Sequence, residues 1–230
     1  MKSQHFDLHR LVVIMTLLSA LVGEVGICIA LGAEYLENGI QALYTRVDML
    51  GDYVNSELAI VFNISMLAAG SCMLLAMYGL FLLKQGAYSS IVACLGFLVG
   101  FSTVLMGVFP INYTVLHKFI SLAFLLSTMC LYGLCIIAKF NHQSLCALPM
   151  FILSIIGFTA SIIVLSQYDW ATLDVTPCQH VKEQVCWIAV SIGIQVQVIV
   201  FWCISLALHM NQNIINQQDY SEPHHDTHRR

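Results

Sequence analysis

LVVIMTLLSALVGEVGICIAL, residues 11–31, decides the fold class. A hydrocarbon layer about 30 Å thick is crossed by roughly 20 apolar residues in helix, and this stretch is long enough. Glu24 is its single charge, and a charge at that depth needs a partner or a task. Five more such stretches follow: about Leu58–Leu83, Ser89–Val108, Phe119–Ala138, Cys146–Leu165 and Trp187–Leu208. Helix is required of each, because backbone groups in hydrocarbon must be satisfied within the segment. The expected fold is therefore all-α, a polytopic bundle of six transmembrane helices filling residues 1–210. A polar, disordered cytoplasmic tail is expected over 211–230.

Composition agrees. Of 230 residues, 59% are hydrophobic and 10% charged, with a mean hydropathy of +0.81, more apolar side chain than one soluble core can hide. A net charge of −4 gives no basic patch for nucleic acid. Lys2 and Arg10 ahead of an apolar run resemble the start of a signal peptide, but Glu24 and the missing small-x-small site argue for a retained helix.

Orientation follows from the basic residues. Lys2, Arg10, Lys84, Lys139, Arg229 and Arg230 fall on one side, against Arg46, Lys118 and Lys182 on the other. Both termini are expected in the cytoplasm of an integral cell-membrane protein (the inner membrane in a Gram-negative cell). The two longer loops, about Gly32–Glu57 and Ser166–Cys186, then lie outside, where ordered loops tend to carry function.

The polar residues at membrane depth are the candidate functional groups. Glu24 lies roughly 10 Å below the outer end of its helix at 1.5 Å per residue. Either Gln195 at about the same depth, a serine or backbone ties it to a neighbouring helix, with Gln197 slightly deeper, or it forms a proton or cation site. Asn63 lies one to two turns into the second helix, and His117 opens the fourth after Pro110 stops the third. Asp48, Asp52, Asn63, His117 and Glu24 could converge beneath the first outer loop, carrying the groups of acid–base chemistry. They could equally tie helices together. No metal site is expected: seven of the nine cysteines lie in or beside helices as small apolar residues, and His224, His225 and His228 sit in the polar tail. No P-loop, GxSxG, HExxH or heme-histidine pair occurs, and no cofactor is expected. Gly96, Gly100 and Gly107 on the third helix predict close packing inside the bundle.

Two stretches carry a resemblance. DMLGDYVNSELAIVFNISMLAAG, Asp48–Gly70, and MGVFPINYTVLHKFISLAFLL, Met106–Leu126, resemble signature segments of the domain-of-unknown-function 998 family of six-helix membrane proteins. The resemblance implies that Leu50, Gly51, Asn63, Gly107, Phe109, Pro110 and His117 are signature positions. Asp48 departs from the family's pattern, which carries serine there. The G…F…H pattern is similar, more faintly, to eukaryotic six-helix proteins linked to autophagy and lipid-anchor remodelling. The family implies a fold and a membrane location but no reaction.

Two functions remain open on sequence. One is a non-enzymatic bundle that binds membrane lipid or a protein partner of unknown kind. The other is a lipid-phase enzyme or small transporter with Glu24, Asn63 and His117 lining an outer-leaflet cavity. Cys178 and Cys186, eight positions apart in CQHVKEQVC, are either bridged, as an oxidising compartment allows, or free thiols. If they are bridged, maleimide labels both only after reduction; equal labelling with and without reductant leaves two free thiols.

Overall fold

In a computed structural model describing residues 2–141, 146–175 and 186–219, the chain folds into six helices. They are α1 (Lys2–Asn38), α2 (Ala59–Leu82), α3 (Ala87–Val108), α4 (Thr114–Phe140), α5 (Leu148–Ser166) and α6 (Trp187–Asp219). All six are long and apolar enough to cross a membrane. Local chemistry sets their ends. Gly39 (φ +60°) and Gly86 (φ +114°) supply left-handed turns after α1 and before α3. Pro110 follows the end of α3, and Pro149 sits in the first turn of α5.

The helices run further than the apolar stretches alone predict. α1 begins at Lys2 because Leu8 and the buried His9 still pack on the bundle, with His9 hydrogen-bonded to Gln85. α6 continues to Asp219, which corrects the expected disorder of 211–219. Asn211–Asp219 is polar but holds neither glycine nor proline, so nothing breaks the helix there. Residues 220–230, with His224, His225 and His228, lie outside the described residues.

Each helix packs antiparallel on its neighbours in sequence, and α6 closes back on α1, giving a ring. Both described ends of the chain meet at one end of the bundle, the terminal end. The opposite, loop end carries two 3-10 turns, Gly39–Tyr44 and Val47–Gly51, the α3–α4 turn, and a small hairpin. The hairpin pairs strand β1 (Tyr168–Asp169) with β2 (Asp174–Val175), a minor exception to the all-α pattern.

Toward the terminal end the ring is filled. Trp202, Tyr132, Met77, Leu80, Leu131, Met150, Leu206 and Met210 are fully buried there. The outward faces are just as apolar: Leu21, Ile60 and Ile137 are 61%, 62% and 60% exposed, a surface suited to lipid rather than water. Lipid tails give no hydrophobic force between helices, so close backbone approach and polar bonds must hold the ring together. Gly70, Gly100 and Gly107 bring α2 and α3 together. A Cβ on Gly107 would meet the Asn63 carbonyl oxygen at 2.7 Å and the Leu67 nitrogen at 2.9 Å. Gly96 packs on Met77, so the α3 glycines all serve this internal contact. The polar bonds include Ser19 to the Ala69 carbonyl (2.8 Å) and the Trp202 indole to Ser154 (3.2 Å).

Gly107→Ala should destabilise the protein by about 1–3 kcal/mol, since backbone must shift to admit the methyl group. Thermal unfolding in detergent measures this; an unchanged midpoint would show that the two helices are not held at this distance.

Candidate functional site

Toward the loop end the ring is not filled. A cavity of about 430 Å³ runs between the helices, the size of a small-molecule pocket. Phe62 and Met73, both in its wall, are separated by roughly 16 Å at 1.5 Å per residue. The deeper wall is apolar, including Ala69, Met73, Val99, Ile199 and Val200. Polar groups gather at the mouth, where Arg46, Asp48, His117 and Lys118 meet the hairpin residues Tyr168, Leu173 and Val175.

The chain reversal around Pro110 builds the mouth. The Phe109 carbonyl accepts a hydrogen bond from His117 Nδ1 at 3.0 Å, while Tyr113 N–H bonds to the Pro110 carbonyl instead. This fixes the imidazole one turn inside α4 and buries it at 5% exposure, deeper than the helix-boundary position expected from sequence. Nε2, on the opposite ring edge, lies 3.7 Å from Asp48 Oδ2 and has no hydrogen-bond partner. Asp48 is held by Arg46, whose Nε donates to Oδ1 at 3.1 Å and whose Nη2 forms an ion pair with Oδ2. Burial alone would raise the Asp48 pKa. The facing His117 and the Arg46 guanidinium outweigh it and pull the carboxyl from 3.8 down to about 2.

Asn63 stands beside this group. Its Nδ2 donates to the Gly51 carbonyl at 3.0 Å, and a Cβ on Gly51 would come within 2.6 Å of its Oδ1. Leu50 is buried next to it, and Gly107 lies against the Asn63 backbone. Among the residues quoted as signature positions, Gly51 contacts Asn63, Asn63 contacts Gly107 and Phe109 contacts His117, while Asn63, Pro110 and His117 line the cavity.

Of the five residues that could converge, Asp52 and Glu24 stand outside the cavity wall. Asp52 turns away from the cavity and organises the loop. It accepts from Val54 N–H (2.9 Å), Asn55 (2.6 Å) and Asn112 (2.8 Å), while Asn112 Oδ1 accepts from Tyr53 N–H (3.1 Å). Burial opposes these bonds, yet they hold the Asp52 pKa below its ordinary value. Glu24 is absent from the cavity wall. It accepts from Gln197 Nε2 at 3.1 and 3.2 Å rather than from Gln195, the amide at about its own depth in the sequence. Positions 195 and 197 diverge by roughly 200° around a helix of 3.6 residues per turn, so both cannot face α1. Gln195 faces the other way, donating to Thr128 (2.7 Å) and accepting from Ser161 (2.9 Å).

No family model, curated protein or solved structure matches this chain, so the likeness to the domain-of-unknown-function 998 family rests on the two quoted stretches. Among the described residues no three histidine, cysteine, aspartate or glutamate side chains gather as metal ligands. Cys186 is disulfide-bonded, and Cys178 lies outside the described residues.

Sequence reasoning passed over Arg46, Ser121 and the hairpin. Ser121 lies one turn along α4 from His117, lines the same cavity, and has a buried Oγ without a hydrogen-bond partner. The i, i+4 spacing was the available signal.

A carboxyl whose folded pKa is depressed adds stability that is present above its unfolded pKa and lost as pH falls toward the folded one. Asp48→Asn should therefore cost about 2 kcal/mol at neutral pH, the equivalent of nearly two pKa units. The gap to wild type should close as pH falls from about 4 to about 2. Thermal unfolding of both proteins across that range measures it, and a gap independent of pH would remove Asp48 ionisation as its cause.

Proposed function

We propose that this protein binds a lipid-like amphiphile inside the helix ring, with the head group at the loop end and the hydrocarbon chain toward the middle of the bundle. The observation that carries this reading is a cavity whose mouth holds Arg46, Asp48, His117 and Lys118 and whose deeper wall is largely apolar. Such polarity along one cavity matches a molecule with one polar and one apolar end. Glu24 supports a scaffold role for its own helix, since it is tied to α6 and does not reach the cavity. We infer from the basic residues that the terminal end faces the cytoplasm, which puts the cavity mouth toward the outer leaflet. Membership of the domain-of-unknown-function 998 family is proposed on the quoted stretches.

A second reading, in which the site acts chemically on its ligand, is favoured by one feature. His117 Nε2 is buried without a hydrogen-bond partner, and Asp48 lies close enough to stabilise an imidazolium. His117 would then serve as a general base at the cavity mouth.

Native mass spectrometry of the purified protein should reveal a co-purifying lipid whose occupancy falls at least severalfold in Val196→Phe, which fills the cavity from α6. Empty protein in both forms would overturn the binding reading. An intact lipid that accumulates in His117→Ala, where wild type carries its cleaved products, would favour the second reading over simple binding.

A further inference from the structure

We propose that the cavity mouth recognises an uncharged hydroxyl group, so that the ligand is a hydroxyl-bearing lipid rather than a fatty-acid anion, a phosphate or an amine. This rests on the amphiphile reading above and names the class of head group.

Because His117 Nδ1 donates to the Phe109 carbonyl, Nε2 accepts when the ring carries one proton and turns into a donor toward Asp48 only when it carries a second. Asp48 Oδ2, 3.7 Å away, also only accepts when ionised. Two acceptors on one wall at that spacing suit a donor placed against them. Ser121, a turn further along α4, adds a hydroxyl that can donate or accept, and its buried Oγ has no hydrogen-bond partner. Leaving such groups unpaired costs about 1–3 kcal/mol each, so a ligand that satisfies them binds better than one that only fills space. A hydroxyl does so from one atom, because it donates to His117 or Asp48 while accepting from Ser121.

Charge then separates the remaining donors. Arg46 is neutralised by Asp48 in the cavity wall. Lys118 donates to the Thr172 carbonyl at 3.5 Å and lies within electrostatic reach of Asp169, whose pKa it helps to lower. Among the described residues, each charge in the cavity wall therefore has a partner, Arg46 with Asp48 and Lys118 with groups of the hairpin. A carboxylate or phosphate would face the Asp48 carboxylate, and an ammonium would face Arg46 and Lys118. A neutral donor meets neither repulsion.

The test uses full-length protein in phosphatidylcholine nanodiscs, whose lipid has no hydroxyl, and probes of equal chain length: 1-lauroylglycerol, methyl laurate, laurate and dodecylammonium. We expect 1-lauroylglycerol to bind about tenfold more tightly than methyl laurate, the effect of roughly one well-placed buried hydrogen bond. Ser121→Ala and His117→Phe should erase that preference, bringing the affinity for 1-lauroylglycerol down to that for methyl laurate. Ser121→Ala leaves the Phe109–His117 bond intact, so it decides the matter even where His117→Phe fails to fold. Laurate or dodecylammonium binding as tightly as the glyceride overturns the hydroxyl assignment and leaves the cavity a lipid site. Failure of every probe overturns the amphiphile reading itself.

Discussion

The carbonyl oxygen of Phe109 stands at a point where the backbone cannot satisfy itself. α3 ends just before it, and Tyr113 N–H turns to the Pro110 carbonyl instead. In an apolar bundle a bare carbonyl is costly, and the imidazole of His117 meets it from the next helix. That one bond fixes the reversal between α3 and α4 and sets the tautomer of the histidine. It also turns Nε2 toward Asp48. Gly51 and Asn63 lock the preceding loop onto the same corner, so the whole cavity mouth is arranged around this bond.

Charge is handled by the same economy. Arg46 is set against Asp48 at the mouth, and Asp52 is surrounded by three donors. Glu24 is matched to a two-contact amide on α6. An unpaired charge in such surroundings would cost several kcal/mol, whereas these pairings keep each ionisable group tied to a specific neighbour and so fix the relative placement of helices and loops.

The two halves of the ring follow different packing rules. Toward the terminal end, large side chains such as Trp202, Tyr132 and Met150 fill the centre. Toward the loop end the inward side chains, Phe62, Met66 and Phe124 among them, leave an open space bounded by the β1–β2 hairpin. Close approach of α2 and α3 at Gly70, Gly100 and Gly107 tightens one side of the wall, and the Gln195–Thr128–Ser161 bonds span the opposite side. A rigid scaffold with an open upper half is what a binding cavity requires.

The sequence by itself determined the six helices, because hydrophobic length and the need to satisfy backbone bonds are local properties that can be read along the chain. It also marked Pro110 as a break and Asn63, Asp48 and His117 as polar groups near one end. What it could not decide was which of them meet. Glu24 chose Gln197 over Gln195 because the rotation of α6 about its own axis faces one of them toward α1. Asp52 went to the loop, while Arg46 and Ser121 joined the site unannounced. The cavity itself belongs wholly to the tertiary structure. It exists because six helices close into a ring that their inward side chains fill at one end and leave open at the other, a relation between segments far apart in the chain that no single stretch contains.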